Sequence, residues 1–154
     1  LGQVLLESEA IVLPMAREKG LRFDVDFDNS IAPALIGDAG RLRQIVLNLV
    51  GNSIKFTDAG GIDIRCRNEG FHEGRQHVSL SISDTGVGME KEFLKKLFNK
   101  FSQEDSSVAR KRGGTGLGMA ITQELISLMG GSIEVFSEKG AGTSFLINLS
   151  FPVG

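Results

Sequence analysis

Tryptophan and tyrosine are absent from this 154-residue sequence, which has only three prolines and one cysteine. A single cysteine, Cys66, excludes an intramolecular disulfide and a multi-cysteine metal site, and it fits a reducing, cytoplasmic setting. No apolar run approaches the roughly 18 residues of a membrane-spanning helix, and no basic-then-apolar export signal is present. We therefore expect no direct membrane contact from this stretch of chain.

Neither sign of charge is in marked excess, since 17 Lys and Arg are balanced by 19 Asp and Glu. A nonspecific nucleic-acid binder held by phosphate neutralisation is therefore not expected. With 154 residues, of which 41% are hydrophobic, the chain has the length and composition of a single globular domain with a hydrophobic core. Glycine is abundant, at 20 residues, against an average usage of about 7%. Some of these glycines must have special backbone roles.

Apolar residues recur with helical spacing in some segments and with strand spacing in others. Helices are predicted over 2–19, from an Asp38 cap to about Phe56, over 90–100 and over 116–129. Strands are predicted over 21–27, 62–69, 77–84, 132–137 and 144–151, with a hairpin loop over 70–76. Gly20 is expected to cap the first helix, which Pro14 should interrupt or kink. This mixture predicts an α/β (α+β) two-layer sandwich, with a mixed, largely antiparallel sheet and helices packed on one face.

The polar loop predicted over 102–114 is long for a connection inside a compact domain, which makes it a candidate lid. Residues 95–112 hold six basic residues and only two acidic ones, although the whole chain is slightly acidic. This local charge would favour a polyphosphate. As an alternative, most of these basic side chains would simply be solvated, and only one or two of them would contact a ligand.

A narrow polar seam runs along the second predicted helix, which is otherwise apolar. Gln44, Asn48, Asn52 and Lys55 fall on one stripe at helical spacing. The seam could be a solvated stripe, but such a stripe would favour Lys, Glu and Gln over Asn, which is a poor helix former. Paired amide oxygens also suit Mg²⁺, which keeps water ligands and shares substrate phosphates. Both interpretations are open on this pattern alone.

Two glycine-containing segments adjoin regular elements. Asp84 ends a predicted strand, and Gly86 and Gly88 would let the chain turn sharply and approach a ligand; a tight turn capped by Asp84 is the alternative. Residues 113–118 open a helix, where free backbone N–H groups favour an anion, unless the segment is a flexible linker. No dinucleotide fingerprint, P-loop or H-R-D and D-F-G protein-kinase signature occurs.

Taken together and in order, these motifs resemble the catalytic ATP-binding domain of two-component sensor histidine kinases. Residues 38–57 resemble the asparagine box of that family, and Phe98 and Phe101 resemble its phenylalanine box. The three glycine boxes are matched by residues 84–89, 113–118 and 140–143. The resemblance covers nearly the whole chain. It implies the GHKL-type ATP-binding fold, shared with gyrase-type ATPases, in a single catalytic domain over 1–154.

The resemblance also implies roles for individual residues. Asp84 would accept the adenine amino group, Asn52 would be the most direct Mg²⁺ ligand with Asn48 beside it, and Lys55 would contact phosphates. Asn48, Asn52 and Lys55 would form the catalytic set, and Ser53 stands where alanine is frequent. The implied ATP-binding set is Asn48, Asn52, Lys55, Asp84, Gly86, Gly88, Phe101, Gln103, Arg110, Gly114, Thr115, Gly116, Leu117, Gly118 and Thr143.

The activity implied is that of a protein-histidine kinase, which binds Mg-ATP and phosphorylates a histidine on its own dimerisation domain. A response-regulator receiver would then take the phosphoryl group, and the polar loop resembles hybrid kinases, in which a receiver follows. Related ATPases have glutamate at the position of Asn48 as a base. Because asparagine cannot take a proton, phosphotransfer is preferred over hydrolysis.

The acceptor histidine is not expected in this sequence. His72 begins an H-E-x-R pattern, but it lies in a glycine-flanked loop, and the acceptor domain is expected before residue 1. The chain should therefore bind MgATP without phosphorylating itself, in the cytoplasm or as the cytoplasmic part of a membrane-bound kinase. The alternatives are a regulatory nucleotide-binding module without phosphotransfer and a GHKL-type ATPase.

Overall fold

The computed structural model describes residues 1–89 and 117–154, which form three helices and five strands. In chain order these are α1 (Gly2–Glu18), β1 (Arg22–Phe27), α2 (Ala39–Lys55), β2 (Gly61–His72), β3 (Arg75–Asp84), α3 (Leu117–Leu128), β4 (Ser132–Glu138) and β5 (Gly142–Pro152). The predicted helix 90–100 and the predicted loop 102–114 lie outside the described residues. The other predicted helices and strands are confirmed, with small shifts at their ends.

The five strands form one sheet in the order β1-β2-β3-β5-β4. Strand β1 runs parallel to β2, whereas the other three neighbouring pairs are antiparallel. This confirms the predicted mixed, largely antiparallel sheet. Asp84, at the end of β3, lies opposite Thr143 of β5 and Ile62 of β2. It therefore stands at one end of the centre of the sheet.

The core lies between one face of the sheet and the helices. Side chains that point to this face are apolar and alternate with polar ones on the other face, as the period of two in the sequence indicates. Its central members are Ile62, Ile64, Cys66, Val78, Leu80, Ile82, Phe145, Ile147 and Leu149. Helix α2 packs against both α1 and α3. One side of α2 thus lies in the core, and the two asparagines of its polar seam face α3.

Cys66 lies at the centre of β2 and is fully buried. Burial raises the pKa of its thiol to about 12. Because the thiolate is the reactive form, this side chain behaves as a small apolar residue at neutral pH.

Of the interruption or kink predicted at Pro14, the interruption is wrong, since α1 continues to Glu18. Proline lacks the N–H that would bond the carbonyl of Ala10, but both residues are exposed, so water can hydrate that carbonyl. Gly20, just beyond the end of the helix, caps it as predicted: it has φ +70°, and the backbone N–H of Leu21 donates to the carbonyl of Ala16 at 2.9 Å.

The hairpin between β2 and β3 is tighter than the sequence predicts. In place of a loop over 70–76, the strands extend to His72 and Arg75, and the two-residue turn is Glu73 and Gly74. Both turn residues have positive φ, at 53° and 77°, as the type I′ turn requires. The positive φ of Glu73 is not visible in a sequence pattern, which explains the overestimated loop.

Candidate functional site

Helix α2 presents Asn48 and Asn52, four residues apart, to helix α3. The side-chain nitrogen Nδ2 of Asn48 donates to Oγ1 of Thr122 at 3.3 Å. The corresponding nitrogen of Asn52 lies 3.1 Å from Sδ of Met119. Both asparagines are half-buried, so this part of the seam is not a freely solvated stripe.

The carboxamide oxygens of the same two asparagines remain available. Neither oxygen accepts a hydrogen bond from any group in residues 1–89 or 117–154. Oxygen ligands that leave room for water are what Mg²⁺ takes when it is shared with a phosphate. The donor set of Asn48 and Asn52 therefore fits a magnesium ion that is bound together with a phosphate-bearing ligand.

Both ends of α2 are fixed. At the start, the Asp38 carboxylate accepts a hydrogen bond from the backbone N–H of Arg41 at 3.0 Å, which confirms the predicted cap. At the end, Nζ of Lys19 donates to the carbonyls of Ile54 and Lys55 at 2.7 and 3.4 Å. The ammonium group of Lys19 thus lies at the negative end of the helix dipole. Its hydrogen bonds fix the backbone at the exposed Lys55, which is the last residue of the polar seam.

Asp84 lies at the end of β3 and is only 9% exposed. Its Oδ1 accepts a hydrogen bond from the backbone N–H of Gly86 at 2.8 Å. Burial raises the pKa of this carboxyl. The hydrogen bond from Gly86 and the nearby groups of Ser53, Thr143 and Thr57 lower the pKa, but by less than burial raises it. A buried carboxylate is thus held at the sheet end, in contact with α2 and with β5.

Ser53 and Thr57, one turn apart at the end of α2, form the polar surroundings of Asp84. Thr57 Oγ1 donates to the carbonyl of Ser53 at 2.7 Å. The hydroxyl of Ser53 is buried, close to Asp84, and forms no regular hydrogen bond with any residue that the structure describes. A buried carboxylate beside an unsatisfied hydroxyl fits a flat polar ring that offers both a donor and an acceptor, as adenine does.

The glycines after Asp84 make room for the chain itself. A Cβ on Gly86 would lie 2.2 Å from the Phe56 carbonyl oxygen, and one on Gly88 would lie 1.9 Å from the Glu138 carbonyl oxygen. The turn between them is hydrogen-bonded on both sides, through the N–H of Val87 to Phe56 and through its carbonyl to the N–H of Gly140. Both glycines therefore allow a close approach of this turn to the end of α2 and to the β4–β5 hairpin, and their predicted approach to a ligand stays a prediction.

Other predicted site residues lie at the edge of the described chain or beyond it. Leu117 begins α3, and at Gly118, which follows, no non-neighbouring atom of residues 1–89 or 117–154 lies within 4 Å of where a Cβ would stand. Thr143 is buried, and its Oγ1 lies 2.8 Å from Oγ of Ser137. Outside the described residues lie Phe98, Phe101, Gln103, Arg110, Gly113, Gly114, Thr115 and Gly116.

The sequence of this chain matches a known protein family. Residues 37–153 match the model of the histidine kinase-, DNA gyrase B- and HSP90-like ATPases. The chain belongs to this ATPase family. The predicted resemblance to the family, and the predicted sandwich fold, are confirmed.

Curated relatives of this ATPase-family chain are named as histidine kinases. It is 37% identical over 150 residues to the signal transduction histidine-protein kinase BarA of Escherichia coli, which covers 97% of this chain and 16% of that protein. It is 41% identical over 152 residues to the sensor histidine kinase GacS of Pseudomonas protegens, with coverage of 99% and 17%. The chain thus spans about a sixth of the length of these relatives.

Solved structures give the same result for the fold. The full-length histidine kinase ShkA in complex with AMPPNP superimposes with a TM-score of 0.83 at 34% identity, over 99% of this chain and 30% of that one. The catalytic domain of histidine kinase ThkA gives a TM-score of 0.74 at 25% identity, with coverage of 97% and 93%. None of the helices in residues 1–89 and 117–154 is long and apolar enough to span a membrane.

Sequence reasoning missed the residues of this ATPase-family site that hold the asparagines from α3. Thr122 is fully buried between Met119 and Ile126, at helical spacing along the same face. A hydroxyl in the middle of an apolar helical face is a visible signal, because a buried polar group needs a partner. What the sequence does not show is that the partner is Asn48, 74 residues earlier.

Proposed function

We propose that this chain binds ATP with Mg²⁺ and transfers the γ-phosphoryl group to a histidine on the dimerisation domain of its own kinase. A response-regulator receiver would take the group from that histidine. Membership of the ATPase family and the histidine kinases among the relatives support this assignment. The hybrid signal transduction histidine kinase B of Dictyostelium discoideum, 39% identical over 152 residues, supports a hybrid arrangement. Since ATP is a cytoplasmic substrate, we place this part of the kinase in the cytoplasm.

The environment of Asn48 carries the proposal. Its side-chain nitrogen already donates to Thr122, and an amide has no basic atom that could take a proton from water. The residues described therefore lack the base that hydrolysis needs at this position. What they can do is position a nucleotide and neutralise charge, and phosphoryl transfer needs little more from the protein.

Different residues of the described part of the chain would bind the adenine, the metal ion and the phosphates. Asp84 would accept the adenine amino group, and the Ser53 hydroxyl would reach a ring nitrogen. Asn48 and Asn52 would offer oxygens to Mg²⁺, and Lys55 would meet the phosphates. When bound with ATP, the metal supplies charge neutralisation on the phosphate oxygens. We assign the rest of the phosphate end to Gly118 and to Phe101, Gln103, Arg110, Gly114, Thr115, Gly116 and Leu117, and the adenine end also to Gly86, Gly88 and Thr143.

Calorimetric titration with MgATP tests the adenine role. Wild type should bind, and Asp84→Asn should bind about ten- to a hundredfold more weakly, because a charged acceptor for the amino group is lost. Asp26→Asn is the matched control, since Asp26 is exposed on the opposite face of the sheet, where it pairs with Arg67. Equal affinity of wild type and Asp84→Asn would contradict the proposal.

Phosphotransfer is tested with the full-length kinase and γ-labelled ATP. Acid-labile label on the kinase, lost in Asn52→Ala, is expected, and the isolated chain should bind ATP without becoming labelled on His72. Tight ATP binding without any phosphohistidine would favour a regulatory module. Rapid phosphate release without an acceptor would favour an ATPase.

A further inference from the structure

Thr122 holds two parts of the site together through one hydroxyl group. Its side chain is fully buried in α3. Oγ1 donates to the carbonyl of Gly118 at 2.7 Å and accepts from Nδ2 of Asn48 at 3.3 Å. Gly118 belongs to the glycine segment that opens α3, and Asn48 belongs to the seam of α2. The hydroxyl therefore connects the two.

The direction of these hydrogen bonds follows from the chemistry of the hydroxyl. A threonine side chain has one proton to donate, and the Gly118 carbonyl can only accept. With its proton directed at Gly118, the hydroxyl offers only lone pairs to Asn48. The amide nitrogen of Asn48 must therefore face Thr122, and the carboxamide oxygen must face away from it.

Asn52 is not constrained in the same way. Its nitrogen faces Sδ of Met119, and a thioether is a weak acceptor. Rotation of an asparagine amide by half a turn exchanges oxygen and nitrogen in nearly the same volume. The hydroxyl of Thr122 is a strong acceptor and therefore selects one orientation of the Asn48 amide. The sulfur of Met119 is a weak acceptor and selects the orientation of the Asn52 amide less strongly.

We propose that Thr122 is a positioning residue that fixes the Asn48 carboxamide with its oxygen available to nucleotide-bound Mg²⁺. The inference rests on the proposed function and deepens it. Without the hydroxyl, the amide is free to present its NH₂ group, which repels a cation. Binding of the metal-free nucleotide does not depend on this orientation, whereas the extra affinity given by Mg²⁺ does.

The test compares ATP affinity in EDTA and in excess Mg²⁺ for wild type, Thr122→Val and Thr122→Ser. Valine keeps the shape and removes the hydroxyl, whereas serine keeps the hydroxyl. Thr122→Val should bind ATP about three- to tenfold more weakly in Mg²⁺, from the loss of one orienting hydrogen bond, with little change in EDTA. Thr122→Ser should restore the wild-type response to Mg²⁺.

Several outcomes would overturn the inference. A Thr122→Val protein with the full Mg²⁺ response contradicts it, and an equal loss in both buffers indicates a merely structural role. Failure of serine to rescue excludes the hydroxyl as the cause. If wild type itself does not bind ATP or does not respond to Mg²⁺, the proposed function fails, and the inference fails with it.

A measurement on the wild-type protein covers the case in which Thr122→Val does not fold. In the nucleotide-free chain, the side-chain NH₂ resonances of Asn48 should be shifted and slow to exchange, since one proton is bonded to a buried hydroxyl. Exchange as fast as that of an exposed asparagine would contradict the orientation.

Discussion

At the scale of single residues, Asp84, which we propose as the group that binds adenine, weakens the fold that carries it. Its carboxyl is buried, and its pKa is raised from the ordinary value of 3.8 because burial outweighs the hydrogen bond from Gly86 and the opposing effects of Ser53, Thr143 and Thr57. The charged form is therefore less stable in the folded chain than in water. The group that we assign to adenine is one that the empty fold would hold more easily without charge.

We predict that Asp84→Asn raises the stability of the nucleotide-free chain at pH 7. With a raised folded pKa, the stabilising contribution of the protonated carboxyl is full below the ordinary pKa of 3.8 and is lost as pH rises through the folded value. The advantage of asparagine should therefore be largest at neutral pH and shrink toward acid. Urea unfolding across this pH range measures it.

The control has the opposite sign. A hydrogen bond from Arg67 lowers the pKa of Asp26, so its charged form favours the folded state and Asp26→Asn should lose a little stability at pH 7. Equal behaviour of the two variants would contradict the electrostatic account.

The sequence predicted the residues whose own positions carry a signal. Asn48 and Asn52 stand out by helical spacing on an apolar helix, and Asp84 by its place at the end of a strand. Thr122 and Ser53 could not be assigned, because their roles depend on which side chain faces them. Such pairing is set by tertiary packing of α2 against α3 and the sheet, which periodicity does not encode.

At the scale of elements, the turn after β3 is clamped between α2 and the β4–β5 hairpin. Gly88 has φ +70° and lies against the Glu138 carbonyl, whereas Gly20 has the same φ but no non-neighbouring atom of the described residues within 4 Å of where a Cβ would stand. Alanine substitutions at the two glycines can therefore be compared. At Gly20 the free energy of unfolding would change through the backbone conformation alone, and at Gly88 also through steric overlap.

We predict that Gly20→Ala destabilises the chain by about 1–2 kcal/mol, the cost of a left-handed alanine. Gly88→Ala should cost clearly more, because its Cβ would lie 1.9 Å from a carbonyl oxygen. Denaturant unfolding of both variants gives the difference. Equal losses would mean that the turn can move away from the hairpin at no cost.

The end of α2 gives a second prediction at this scale. Lys19→Met removes the hydrogen bond to the Ile54 carbonyl and the charge at the negative end of the helix dipole, and should cost about 1 kcal/mol. Arg17→Met, in the last turn of α1, is the control, because Arg17 donates no side-chain hydrogen bond to any residue of 1–89 and 117–154. Thermal unfolding compares them, and an equal loss would place the effect in α1 instead.

Element types were predictable from the sequence, and element pairing was only partly so. Alternation in β2, β3 and β5 predicts which side chains face the core, and hairpin proximity predicts antiparallel neighbours. The parallel pairing of β1 with β2 was not predicted, since the two strands are separated in sequence by α2. Their order depends on how that helix packs.

At the scale of the whole molecule, ion pairs cross the parallel edge of the sheet, beside the backbone pairing of β1 with β2. Arg22 bonds Asp63 at 2.7 Å, and Arg67 bonds Asp26 at 2.8 Å, both between β1 and β2. Asp28 accepts from the backbone N–H of Asn68 at 3.1 Å. Arg22 lowers the pKa of Asp63, Arg67 lowers that of Asp26, and hydrogen bonds led by the one from Ser30 lower that of Asp28.

We therefore predict that the folded chain loses stability in acid. Lowered folded pKa values give stability that is present above the ordinary value of 3.8 and is lost as pH falls through the folded values. The urea midpoint should fall between pH 5 and pH 3, and less steeply in about 0.5 M salt, which screens exposed pairs. A midpoint that stays constant over this range would contradict the prediction.

The single thiol of the chain makes the folded state directly measurable. Cys66 is buried at the centre of β2, and its pKa of about 12 keeps it protonated, so a thiol reagent reacts only with molecules in which the sheet has opened. The rate of labelling then reports the population of open molecules without any added probe. A nucleotide that binds only the closed form lowers the population of open molecules in proportion to the fraction of protein that has nucleotide bound. ATP affinity can therefore be measured from the degree to which ATP slows the labelling of Cys66 in the core.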